Sequence, residues 1–155
     1  MRSKIKTYVI SIAVAMVVGG LSALLTGDSM EKYKALRQPS LAPPGWVFPI
    51  VWTILFVLMG VGAAMVCLSG SSSKKKPIAI YGLQLAVNFF WTILFFLLEA
   101  RLFAFFWLLL LLGLAVWMAV SFARVNKTAG LLQIPYILWL LFAGYLNLAV
   151  YLLNG

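Results

Sequence analysis

The stretch LFAFFWLLLLLGLAVWMAVSFA, residues 102–123, runs for 22 residues without a charged side chain. At ~1.5 Å of rise per residue a helix of this length reaches about 33 Å, enough to cross the ~30 Å hydrocarbon core of a bilayer. Working outward from it, four further stretches, 5–26, 46–68, 78–98 and 131–153, are apolar over a similar length. The composition agrees, with 65% hydrophobic and 10% charged residues and a mean hydropathy of +1.07, against ~45–50% and ~25% in soluble domains. The sequence therefore predicts an all-α integral membrane protein, a five-transmembrane-helix bundle forming a single membrane domain over residues 1–155. Arg2, Lys4 and Lys6 give the first stretch the look of a signal peptide, but its apolar run exceeds an h-region of ~7–15 residues, so it reads as a retained anchor.

Charge sets the orientation. Arg2, Lys4, Lys6, Lys74, Lys75, Lys76, Arg124 and Lys127 fall on one side of five crossings, and Lys32, Lys34, Arg37 and Arg101 on the other. Basic residues accumulate on the cytoplasmic side, which places the N-terminus there. Membrane lipids, not nucleic acid, account for the net charge of +9, because the bases sit in short segments between apolar runs. With no histidine, one cysteine (Cys67) and three acids (Asp28, Glu31, Glu99), no metal site, intrachain disulfide or conventional catalytic constellation is expected.

The connections differ in kind. Residues 69–77 and 99–101 read as solvated linkers, the second carrying an interfacial Glu99–Arg101 ion pair. The first loop, 27–45, holds Met30, Tyr33, Leu36 and Leu41 among its charges and is stiffened by Pro39, Pro43 and Pro44; it reads as a lid with a short amphipathic turn at 30–36.

Polar groups inside a span are costly and face protein or a cavity. Gln84, Asn88 and Thr92 recur every four residues on one face of the third span, beside Trp91 and Phe95; they bond neighbouring helices or line a pocket. On the fifth span Trp139, Ala143 and Asn147 form a stripe in which a small residue between a ring and an amide leaves either a recess or a close helix contact. Pro135 is expected to bend this helix near Tyr136. Trp52 lies roughly 9 Å below the start of the second span, too deep for a headgroup anchor. Trp107 and Trp117 read as belt or packing residues, and the run 108–112 as lipid-facing. Small residues four apart (Gly19 and Ala23; Gly60 and Ala64; Ala115, Ala119 and Ala123) permit close helix approach within or between chains. The Trp52, Trp91, Phe95, Ala143 and Asn147 positions share a depth beneath the first loop, and such a pocket suits a flat hydrophobic ligand.

The strings PSLAPPG (39–45) followed by Trp52, Asn88 with Trp91 and Phe95, and IPYILWLLFAGYLN (134–147) closely resemble motifs of the TspO/MBR family, the tryptophan-rich sensory or translocator proteins. The resemblance covers all five spans. It implies a bacterial-type member in the cell membrane, a homodimer, and a pocket beneath the first loop for porphyrins such as protoporphyrin IX, with benzodiazepine-type ligands in some members. No resident cofactor is implied. Carried onto this sequence, the pocket residues are Tyr33, Pro43, Pro44, Trp52, Asn88, Trp91, Phe95, Trp139, Phe142 and Ala143, with Asn147 added by the stripe. Lys32 and Leu41 stand where the family commonly has tryptophan, and no base follows Tyr151, so the sterol-recognition pattern of animal members is missing.

Four functions remain open at this level. A receptor or sensor would hold a tetrapyrrole in the pocket, its carboxylates meeting lid bases Lys32, Lys34 or Arg37. Stable haem ligation is disfavoured, since histidine is absent. A light- and oxygen-dependent porphyrin-degrading enzyme would use Trp52 and Trp139. A porphyrin or lipophile transporter lacks an intramembrane acidic coupling residue. A purely structural scaffold would bind nothing saturably.

Overall fold

Every long apolar run becomes a helix because a backbone in hydrocarbon must satisfy its own hydrogen bonds. The computed structural model describes residues 2–27, 29–70, 72 and 74–154, excluding the side chains of Ser29 and Met30; the expected lid contact of Met30 and the acid Asp28 lie outside the described residues. The helices are α1 (Arg2–Thr26), α2 (Ser29–Lys34), α3 (Val47–Cys67), α4 (Lys75–Thr92, continued by a π turn Ile93–Leu97), α5 (Arg101–Val125), α6 (Lys127–Leu131) and α7 (Ile134–Asn154). Five spans are long and apolar enough to cross a membrane: α1, α3, α4 with its π turn, α5, and α6 with α7. The fold is the expected all-α five-helix bundle, with helix ends within about three residues of the sequence expectation.

α1 packs along α3 and touches α4, α4 packs on α5, and α5 on α7. Small residues bring these backbones together. A Cβ on Gly60 would strike the backbone of Ile12, and one on Gly19 would strike the Phe56 ring. Gly130 is likewise pressed onto Ala119 and Ala123. The small residues flagged in the sequence thus serve contacts within the chain, apart from the exposed Ala23.

Polar side chains stitch the same helices. Tyr81 Oη donates to the Ser11 carbonyl (2.8 Å), and the Trp107 indole N–H to the Val87 carbonyl (2.8 Å), which fixes Trp107 as a packing residue between α5 and α4. Trp117, by contrast, is exposed, with the Lys76 ammonium 5.4 Å from its ring centre.

Three expectations are corrected. The run 108–112 is not uniformly lipid-facing, since Leu108 and Leu111 are buried while Leu109 and Leu110 are exposed: a helix packed on two neighbours must bury one stripe of even an all-leucine run. Pro135 does not bend a helix interior. It lies in the first turn of α7, where a missing N–H costs nothing, and the chain breaks before it at Leu132 and Gln133. Gln133, fully buried, ties that break to α3 by donating to the Leu58 and Ala129 carbonyls (3.2 Å each). Finally, Glu99 and Arg101 form no ion pair; among the described residues the one ion pair is Lys34 with Glu31, at 3.9 Å. Glu99 sits at φ 53°, a left-handed turn that reverses the chain between α4 and α5, and it is exposed.

Candidate functional site

At the lid end the bundle forms a cavity of about 540 Å³ that opens past the exposed Met16, Gly20, Ala23 and Trp46, within the ~300–1,000 Å³ range of pockets for drug-sized ligands. Its elements are α1, the lid, α3, the end of α4 with its π turn, and α7. Trp52, one turn from Phe48 and one from Phe56, is the hub. It stacks on Phe56 (ring centres 5.6 Å apart), tilts against Trp91 (6.4 Å), and meets Tyr136 (6.2 Å) and Trp139 (6.4 Å) edge to face. Trp91 stacks in turn on Phe95 at 5.5 Å.

The amides behind these rings bond neighbouring helices. Trp91 Nε1 donates to Asn147 Oδ1 (3.0 Å), and Asn147 Nδ2 donates to the Arg101 carbonyl (2.8 Å), tying α4, α7 and the start of α5 together. Asn88 Nδ2 donates to Tyr136 Oη (2.9 Å), whose hydroxyl donates to Gln84 Oε1 (2.7 Å). The two readings open for Asn88 and Asn147 are therefore both met. They bond helices, and they line the cavity. Among the described residues, the buried indole N–H of Trp139 has no hydrogen-bond partner.

The first loop covers part of the cavity. Tyr33 is buried against Phe48 (6.1 Å), Phe95 (5.7 Å) and Phe96 (5.4 Å), and burial raises its phenol above the ordinary range, so it stays protonated at physiological pH. Gln38 Nε2 donates to the Tyr33 carbonyl (2.8 Å). The far end of the lid is clasped by Asn154, which accepts from the Arg37 N–H (3.0 Å) and donates to the Arg37 carbonyl (2.9 Å).

Of the residues named from sequence, Tyr33, Trp52, Asn88, Trp91, Phe95, Trp139, Ala143 and Asn147 share this wall. Pro43, Pro44 and Phe142 do not. The prolines form the turn before α3, with the Pro44 carbonyl accepting from Val47 N–H (3.0 Å), and Phe142 lies with Trp139 at a shallow recess between α3 and α7. Sequence reading missed Phe48, Phe56, Phe96, Ser22 and Thr26, all on the cavity wall. The four-residue spacing of Phe48, Trp52 and Phe56, and of Ser22 and Thr26, was the available signal. Phe96 had none, because the π turn shifts the helical phase and lets two consecutive residues, Phe95 and Phe96, face the same cavity.

Comparison with known proteins matches the TspO/MBR family model to residues 11–153. The chain belongs to the TspO/MBR family. It is 36% identical to the tryptophan-rich protein TspO of Chlorobaculum tepidum over 99% of both chains, and 39% identical to protein CrtK of Rhodobacter capsulatus over 79% of this chain and 78% of that one. The human translocator protein is 35% identical over 84% of this chain and 79% of its own. Within this TspO/MBR chain the matched region contains the lid and the whole cavity wall.

Proposed function

We propose that this TspO/MBR protein is a membrane receptor or sensor that binds porphyrin-type tetrapyrroles and other flat hydrophobic molecules in the aromatic cavity beneath the lid. The observation that carries the reading is the aromatic wall of a ligand-sized cavity. The rings of Trp52, Trp91 and Phe95 wall the cavity, Trp52 tilted against Trp91 and Trp91 stacked on Phe95, with Tyr33 of the lid packed on Phe95. The N-terminus is cytoplasmic, in the cell membrane, and the chain works as a homodimer; the first rests on the basic count and the second on family resemblance.

The test is a spectroscopic titration of purified protein with protoporphyrin IX, following porphyrin absorbance and tryptophan fluorescence. Saturable binding, displaced by a second flat lipophile, is expected. Linear partitioning equal to that of empty detergent micelles would overturn the reading. A second reading, light- and oxygen-dependent porphyrin degradation, is favoured by one observation: the Trp52 and Trp139 rings meet edge to face on the cavity wall, beside any bound chromophore. Product analysis of the complex in light and in darkness separates the two.

A further inference from the structure

Among the described residues lining the cavity, Lys34 is the one Lys or Arg. Its side chain leaves the last turn of α2 next to buried Tyr33 and crosses Gly45, whose missing side chain makes the path: a Cβ there would come within 2.9 Å of Lys34 Cε. Among the described residues its one counter-charge is Glu31 one turn back, at 3.9 Å and itself largely exposed, a loose pair worth little. The other lid bases are placed differently. Lys32 is exposed and away from the wall, and Arg37 is exposed with its backbone clasped by Asn154. A guest filling the apolar chamber thus meets one ammonium, placed at the mouth over a glycine step.

We propose that Lys34, given its path by Gly45, makes this cavity select carboxylate-bearing ligands, pairing the anionic edge of a flat apolar guest at the lid while the rings hold its body. The assignment rests on the cavity being the ligand site. It concerns which guests the site prefers. An ammonium is a point charge on a flexible stem, so it suits a carboxylate that lies at variable depth, without the fixed geometry a guanidinium imposes.

The experiment compares protoporphyrin IX with its neutral dimethyl ester on four proteins: the parent, Lys34→Met, Lys34→Arg and Gly45→Ala. Methionine keeps the apolar stem and removes the charge; alanine at 45 only pushes the lysine aside, because the atom it meets is near the end of a flexible chain. The parent should bind the acid about two- to fivefold more tightly than the ester, as expected of a solvent-accessible ion pair, with the preference shrinking at high salt. Lys34→Met should bind both alike while leaving ester affinity unchanged. Lys34→Arg should restore the preference, and Gly45→Ala should weaken it. A preference that survives in Lys34→Met, or none in the parent, overturns the assignment while leaving the cavity as the ligand site. Failure of both porphyrins to bind saturably would instead remove the receptor reading on which it stands.

Discussion

Trp52 touches four other rings, and that geometry separates it from the remaining tryptophans. Phenylalanine at 52 or 139 keeps aromatic bulk and should keep the fold, yet each lost indole contact is worth ~0.5–1.5 kcal/mol, so porphyrin affinity should fall about two- to tenfold in a titration. Trp107→Phe is the contrasting case. It loses the bond to the Val87 carbonyl, worth roughly 1 kcal/mol of stability, and should melt earlier while binding porphyrin like the parent. Equal binding by all three variants would make the aromatic stripe mere core. Much of this was legible at the residue scale, because i, i+4 spacing of Gln84, Asn88 and Thr92, and of Trp139, Ala143 and Asn147, placed each set on one helix face. Which helix each face would meet was not legible. The pairing of Trp91 with Asn147 joins residues 56 apart in sequence, and no local pattern encodes such a partner.

At the scale of elements, the junction of α4 and α5 is where local rules are broken. The π turn Ile93–Leu97 closes with Leu98 N–H on the Ile93 carbonyl (2.9 Å), and Glu99 then takes a left-handed backbone. A non-glycine residue there costs roughly 1–2 kcal/mol, against ~0.5–1 kcal/mol of extra chain entropy that glycine would lose on folding. Since Glu99 is exposed and makes no ion pair among the described residues, Glu99→Gly should stabilise the protein by about 0.5–1 kcal/mol, seen as a higher melting temperature in detergent. A lower one would mean that the carboxylate has a role the geometry does not reveal. The sequence carried no sign of this turn, because hydrophobic periodicity cannot distinguish 3.6 from a locally wider helix over five residues. The first loop was legible as a docked element from Tyr33 and Leu36, which pack on the bundle, whereas Leu41, expected to dock, is 68% exposed. The loop's clasp was not legible, since Asn154 binds it through backbone groups of Arg37 that any residue would present.

For the whole molecule, five spans were legible from composition and length alone, as bilayer thickness leaves a helix few alternatives. The small-residue stripes were legible as contacts but not as to whether they lie within or between chains; Gly19, Gly60, Ala119 and Ala123 turn out to be pressed against neighbours of the same chain. Orientation is the prediction that belongs to this scale. In a Cys67→Ser background, Ser40→Cys, exposed on the lid, should react with an impermeant thiol reagent added to intact cells, and Lys75→Cys, exposed at the opposite end, only after permeabilisation. The reverse pattern would invert the protein in its membrane.

The central claim is that a guest occupies the lidded cavity, and Ala143 is the place to challenge it. The residue is buried on the cavity wall between Trp139 and Asn147, where added bulk would intrude on the chamber. Overpacking a fitted site costs ~1–3 kcal/mol. Titration of Ala143→Leu with protoporphyrin IX, beside the parent and with melting temperatures measured on the same samples, should show binding weakened about tenfold or more at nearly unchanged stability. Parental affinity in a well-folded Ala143→Leu protein would contradict the account, because the porphyrin would then be bound somewhere other than this cavity.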